Sequence, residues 1–161
     1  MLTIETDSPE ATWQLGHLIG TLAQPGDVVC LEGELGAGKT TLVQGLAAGL
    51  GVSEPVTSPS FALIHHHHGR YHLRHIDLYR LSPDQVPELG LEELLEEAGV
   101  TAIEWPENLP RGMLPECLYL RLHTLRAEHR RALTLEARGP RAEARLDQVR
   151  EHYRPGRVKT Q

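Results

Sequence analysis

Val28-Val29-Cys30-Leu31-Glu32-Gly33-Glu34-Leu35-Gly36-Ala37-Gly38-Lys39-Thr40 is the stretch on which the fold turns. Val28 to Leu31 is an apolar run too short for a helix and bounded by glycines, which suits a strand buried on both faces of a parallel sheet. Gly33 to Thr40 satisfies G-x-x-x-x-G-K-[ST], and Thr40 to Leu50 follows as a helix ended by Gly51. Strand, glycine-rich turn and helix together are the context this phosphate-binding motif requires. Glycines lack Cβ and can take positive φ, so successive N–H groups turn inward at the positive end of the next helix and form an anion site. On this reading Leu35, Gly36, Ala37, Gly38, Lys39, Thr40 and Thr41 line a nucleotide's phosphates. Lys39 brings a point charge to the β- and γ-phosphates, and Thr40 offers its hydroxyl to Mg²⁺. Thr41 either touches the α-phosphate or caps the turn.

Outward from this loop, residues 2–5 suit a short strand. Ser8-Pro9-Glu10 gives an N-cap, a proline in the first turn and an acid, ahead of Ala11, Leu15, Leu18, Ile19 and Leu22 at helical spacing. Phe61 to His67 and Tyr71 to Asp77 are expected as a hairpin around His68-Gly69-Arg70. Leu91 to Ala98 forms a short acidic helix, and Val100 to Trp105 a buried strand. Cys117 to Thr124 and Arg130 to Ala137 alternate as half-exposed antiparallel strands do, and residues 140–153 close the chain as a charged helix.

The chain has 161 residues, 40% hydrophobic and 4% aromatic, enough for one ordinary core built from aliphatic side chains. The expectation is a single domain over 1–161: an α/β, P-loop NTPase-like three-layer fold whose mostly parallel central sheet carries an antiparallel extension. Sixteen bases against 22 acids give a net charge of −6, which argues against a nucleic-acid coat. The last third, residues 111–161, is nevertheless basic, with 12 bases and six acids. Only two residues are Lys, at 39 and 159, so Lys39 is not surface decoration. Cys30 and Cys117 fit no metal or redox spacing and suit reduced core thiols. Absence of a signal peptide and of a long apolar run leads to the expectation of a cytoplasmic protein with no membrane association.

Hydrolysis at a bound γ-phosphate needs a held Mg²⁺ and an oriented water, so carboxylates are expected at the carboxyl ends of core strands. Asp77 and Glu104 end two such strands. His75, on the same strand face as Asp77, is placed to donate to that carboxylate. Thr57-Ser58-Pro59-Ser60-Phe61 is either a γ-phosphate-sensing switch or an ordinary turn. Arg80 either stabilises transition-state charge or pairs with an acid such as Asp84. His65 to His68 alternate between strand faces and cannot all converge on one ion. The arginines of the basic last third are either solvated charge patterning, as Arg141 and Arg145 recur at helical spacing like Glu143 and Asp147, or a docking surface for an acidic partner or nucleic-acid phosphate, to which Arg150, Arg154 and Arg157 would belong.

Six blocks in order give a resemblance to the bacterial TsaE family: Thr12-x-x-Leu15-Gly16; Gly33 through Thr41; Val56-Thr57-Ser58-Pro59-Ser60-Phe61; His75-Ile76-Asp77-Leu78-Tyr79-Arg80-Leu81; Glu88-Leu89-Gly90; and Ile103-Glu104-Trp105-Pro106. The resemblance implies a Mg²⁺-dependent ATP hydrolase that works with a TsaB–TsaD complex, which attaches threonylcarbamoyl to the adenosine beside the anticodon in tRNAs reading ANN codons. The tRNA would be reached through that complex. By the same resemblance Thr40 and Glu104 contact Mg²⁺, Asp77 is the Walker-B-like acid, and the segment Ser8 to Thr12, with Pro9, lies near the adenine. Lys39, Asp77 and Glu104 then form the catalytic set. Ser60 departs from the family's usual Thr while keeping the hydroxyl, and the last 50 or so residues match only loosely. Two alternatives are a small-molecule kinase and a non-catalytic nucleotide sensor.

Overall fold

The computed structural model describes residues 1–57 and 63–155. Ser58 to Phe61 of the hydroxyl-rich turn, the start of the predicted hairpin and Arg157 lie outside these residues. The chain runs β1 (Leu2–Thr6), α1 (Pro9–Leu22), β2 (Val28–Gly33), α2 (Lys39–Gly49), β3 (Ile64–His68), β4 (His72–Asp77), α3 (Leu91–Glu96), β5 (Val100–Glu104), β6 (Cys117–Thr124), β7 (Arg131–Arg138) and α4 (Pro140–His152). Short 3₁₀ turns at Val86–Leu89 and Pro106–Asn108 precede α3 and follow β5. As expected, Ser8 caps α1, its Oγ accepting from Ala11 N at 3.1 Å, with Pro9 in the first turn.

Among the described residues the strands form one sheet, ordered β1-β7-β6-β2-β5-β4-β3. The centre β6-β2-β5-β4 pairs in parallel, and β1-β7, β7-β6 and β4-β3 pair antiparallel. This is a mixed α/β sheet with a parallel heart, as the apolar run in β2 requires. Its two faces are buried differently. Val29, Leu31, Leu118, Leu120 and Leu122 join Leu15, Ile19, Leu42, Leu46, Leu146 and Val149 of α1, α2 and α4. On the opposite face Val28, Cys30, Ile76, Ile103, Cys117 and Tyr119 pack with Val86 and Leu91. Burying each such large aliphatic side chain contributes about 1.5–3 kcal/mol.

Three local expectations change. β6 pairs antiparallel with β7 as expected, but it is not half-exposed: it also pairs in parallel with β2, and Cys117 to Leu120 are buried because alternate side chains enter opposite core clusters. The predicted helix ending at Ala98 stops at Glu96. Arg145 is not solvated charge. Its guanidinium donates to both carboxylate oxygens of buried Asp27, at 2.6 and 3.2 Å, fastening α4 to the entrance of β2.

α1 lies directly against α2, backbone to backbone. A Cβ on Gly16 would overlap the Leu42 carbonyl oxygen, and one on Gly45 would overlap that of Trp13. Only glycine admits so close an approach. The seam sets the start of α1 beside the start of α2, where the glycine-rich loop ends. At the other end, Arg70 donates to Gly49 O and Gly20 O, both at 3.1 Å, so one guanidinium covers terminal carbonyls of both helices.

Candidate functional site

The site is assembled at the carboxyl edge of the parallel strands. β2 runs into the glycine turn, in which Gly36 (φ +80°) and Gly38 (φ +105°) take left-handed conformations. Gly38 also starts α2. The loop is closed by Ala37 N donating to Glu34 O at 3.1 Å, and Leu42 N donates to Gly38 O at 3.0 Å. Leu35 stands at the tip, 68% exposed. Ala37 is buried. Thr40 and Thr41, half-buried, follow on the first turn of α2.

Lys39 is 6% exposed, and its ammonium donates to Gly33 O and to Glu34 O. It also lies 4.0 Å from the centroid of the Trp105 ring, a cation–π contact. Burial pushes this ammonium below the usual lysine range, and the nearby charges of Glu104, Glu107, Asp77 and Glu34 oppose that fall.

Asp77 and Glu104 are directly paired across β4 and β5, and Glu104 is in turn opposite Leu31 of β2. The two expected acids therefore share one sheet face beside the loop. Burial raises the Asp77 carboxyl above its ordinary range; the Tyr79 N–H, donating to its Oδ1 at 2.9 Å, works against this, and the Glu104 charge adds to it. His75 does not serve Asp77 as expected. Its Nε2 meets Glu104 Oε2 at 2.5 Å instead, because the β4–β5 register brings the neighbouring strand's carboxylate nearer than the one on its own strand.

Trp105 follows Glu104 with φ +61°, a left-handed backbone that a bulky side chain adopts only when its surroundings impose it. Its N–H donates to Leu31 O at 3.2 Å, and its ring packs on Tyr79 with centroids 4.8 Å apart. Asn108 Nδ2 donates to Leu78 O at 2.8 Å, tying the loops after β4 and β5 together.

On the other flank of the loop, Pro9, Thr12, Gly36, Gly38, Thr41, His129 and Arg131 line a cavity of about 90 Å³. Pro9 and Thr41, far apart in sequence, are thus brought to one wall. His129 and Arg131 were absent from the expected set. Arg131 Nε donates to Ala37 O at 3.1 Å and its Nη2 to Gly36 O at 3.2 Å, holding the loop's carbonyls from the start of β7. Nothing local in the sequence marks it out from the other arginines of the basic third. Arg80 is exposed and pairs with no acid among the described residues, Asp84 included.

Two carboxylates and a threonine hydroxyl are hard oxygen donors, and the adjoining cradle would bring phosphate oxygens to them. This set fits Mg²⁺, which takes one or two protein carboxylates, substrate phosphate and several waters. No group of three or more His, Cys, Asp or Glu among the described residues is arranged to hold an ion by itself. The histidines of β3 divide as the strand alternation predicts: His66 Nδ1 meets His72 Nε2 at 2.8 Å, and His65 packs edge-on to His67. No helix among the described residues is long and apolar enough to cross a membrane.

The family model described as threonylcarbamoyl adenosine biosynthesis protein TsaE matches residues 6–133. A tRNA threonylcarbamoyladenosine biosynthesis protein TsaE from Nostoc sp. is 51% identical over 106 residues, covering 63% of this chain and 65% of that protein, just under two thirds of its length. The TsaE of Bacillus subtilis is 36% identical over 148 residues, covering 91% and 92% of the two chains. A crystal structure of Bacillus subtilis YdiB superposes with a TM-score of 0.79 at 35% identity, covering 94% of this chain and 95% of that one.

Proposed function

Because the chain belongs to the TsaE family of threonylcarbamoyl adenosine biosynthesis proteins, we propose that it hydrolyses ATP with Mg²⁺ in support of a TsaB–TsaD complex that modifies tRNA. The observation carrying this reading is the burial of Lys39 at the foot of the glycine turn, within the field of Glu104 and Asp77.

The backbone N–H groups from Gly36 to Thr41 and the N-terminus of α2 bind and orient the phosphates. Lys39 stabilises charge on the β- and γ-phosphate oxygens. Thr40 and Glu104 would hold Mg²⁺, which would supply neutralisation of phosphate charge. Asp77 orients water or the outer shell of the ion. Pro9 and the cavity it shares with Thr41, His129 and Arg131 take the base-side portion of the nucleotide. Arg131 keeps the loop's carbonyls turned outward, so that its N–H groups face the phosphates.

The test is inorganic phosphate release from ATP with and without TsaB–TsaD, for wild type, Lys39→Ala and Glu104→Ala. Turnover should depend on the partners and fall by at least 10²-fold in both variants. Activity persisting in both would remove the assigned site. Phosphate transfer to a metabolite without release would replace the reading with a kinase, and partner-independent silence with intact ATP binding would replace it with a sensor.

A further inference from the structure

We infer that His75 is a positioning residue that fixes the carboxylate of Glu104. The inference rests on the reading of Glu104 as a metal ligand and adds to it the residue that aims the ligand. His75 is fully buried in β4, and Glu104 is 3% exposed. Opposite His75 in the register stands Ala102, small enough for the imidazole to lie across β5 toward Glu104, two residues further along the same face. The Nε2 to Oε2 separation is 2.5 Å.

This is the ring's only hydrogen bond among the described residues. His75 Nδ1 has no partner among the described residues. An ionised carboxylate only accepts, so Nε2 is the donor in this contact. Asp77, on the same face, already accepts from Tyr79 N and does not compete for the imidazole.

The geometry has a consequence for the ion. Glu104 is the strongest of the negative charges acting on Lys39, so the direction of its carboxylate matters to both the ammonium and the ion. A hydrogen bond pinning Oε2 leaves Oε1 free and fixes its direction. Outer partners of this kind orient metal-binding groups, and their loss weakens metal binding about 10- to 100-fold.

The experiment compares wild type, His75→Leu and His75→Gln. Gln keeps an N–H donor near the place of Nε2, and Leu keeps bulk alone. Calorimetry with ADP in EDTA measures nucleotide affinity without metal. Electron paramagnetic resonance of Mn²⁺ added to the ADP-saturated protein measures metal affinity.

The expected result is a rise of about 10- to 100-fold in the Mn²⁺ half-saturation of His75→Leu, with metal-free ADP affinity within about twofold of wild type and most of the loss recovered in His75→Gln. Unchanged Mn²⁺ binding in folded His75→Leu overturns the inference. So does an equal loss of ADP affinity in EDTA, which would make His75 merely structural. If His75→Leu does not fold, His75→Asn takes its place, its amide too short to reach Glu104. Wild type that binds no nucleotide would instead overturn the proposed function; wild type that binds it, with indifferent variants, overturns the role of His75 alone.

Discussion

Replacing Gly45 by alanine sets two ordinary effects against each other. In an exposed helix interior the change is stabilising by about 1 kcal/mol, since alanine has the higher helix propensity. Here the new methyl would sit 2.8 Å from Trp13 C and 3.0 Å from His17 N, and would overlap the Trp13 carbonyl oxygen. Ordinary contact begins near 3.4 Å, so α1 must retreat by at least the difference between 2.8 and 3.4 Å. The obstacle is helix backbone, not a side chain that can rotate away. Overpacking of this kind costs about 1–3 kcal/mol, and a backbone clash belongs at the upper end. The net expectation is a loss of about 2 kcal/mol, equivalent to a Tm lower by roughly 4–8 °C for a chain of this size. Thermal unfolding followed by circular dichroism measures it, and ADP affinity should fall in parallel because Pro9 and Thr12, which line the cavity beside the loop, ride on the displaced helix. A Gly45→Ala protein as stable as wild type, or more so, would refute the backbone seam as the element that places the loop.

Three further outcomes follow from the charges. Arg145→Ala leaves the buried Asp27 carboxylate with only the Gln24 N–H and the more distant Arg141 guanidinium, 3.9 Å away, and should cost about 3 kcal/mol in urea unfolding, with Arg145→Lys restoring only part, since one ammonium cannot match the two-oxygen contact; a loss below about 1 kcal/mol would show that the pair is solvated. ADP affinity measured in EDTA should decline with rising pH at a midpoint below the ordinary lysine value of 10.5, because a lowered pKa makes Lys39 give up its charge earlier. Hydrolysis should weaken on acidification at a midpoint above 3.8, because the raised Asp77 carboxyl takes up its proton sooner. Midpoints at the ordinary values would contradict the burial of both groups.

The features legible in the sequence are those that repeat or break within a few residues. β2 could be read because four consecutive apolar residues need cover on both faces, and the loop because its glycines and Lys39 stand at fixed spacing between a strand and a helix. The positions of Asp77 and Glu104 followed from the ends of two apolar runs. What was not legible depends on pairing. The partner of His75 is decided by the register of β4 on β5, which no local pattern encodes, so the nearer carboxylate in sequence was mistaken for the nearer one in space. β6 looked peripheral because its polar residues alternate, but its place between β2 and β7 is set by topology. Gly16, Gly20, Gly45 and Gly49 stood four apart in two helices, a signal available in the sequence whose meaning appears only once α1 is laid on α2.

Arg131 has a consequence for how the loop comes into being. The residues whose carbonyls it holds, Gly36 and Ala37, precede it by 95 and 94 positions. The glycine turn is therefore local in sequence but completed by a very distant one, after β6 has paired with β2 and β7 with β6. During synthesis from the N-terminus, the whole motif leaves the ribosome well before the cation that braces it. Closing so long a span is entropically late, which makes a fully braced nucleotide cradle a product of finished folding. A fragment ending after β5 would carry every signature residue of the motif and lack that brace.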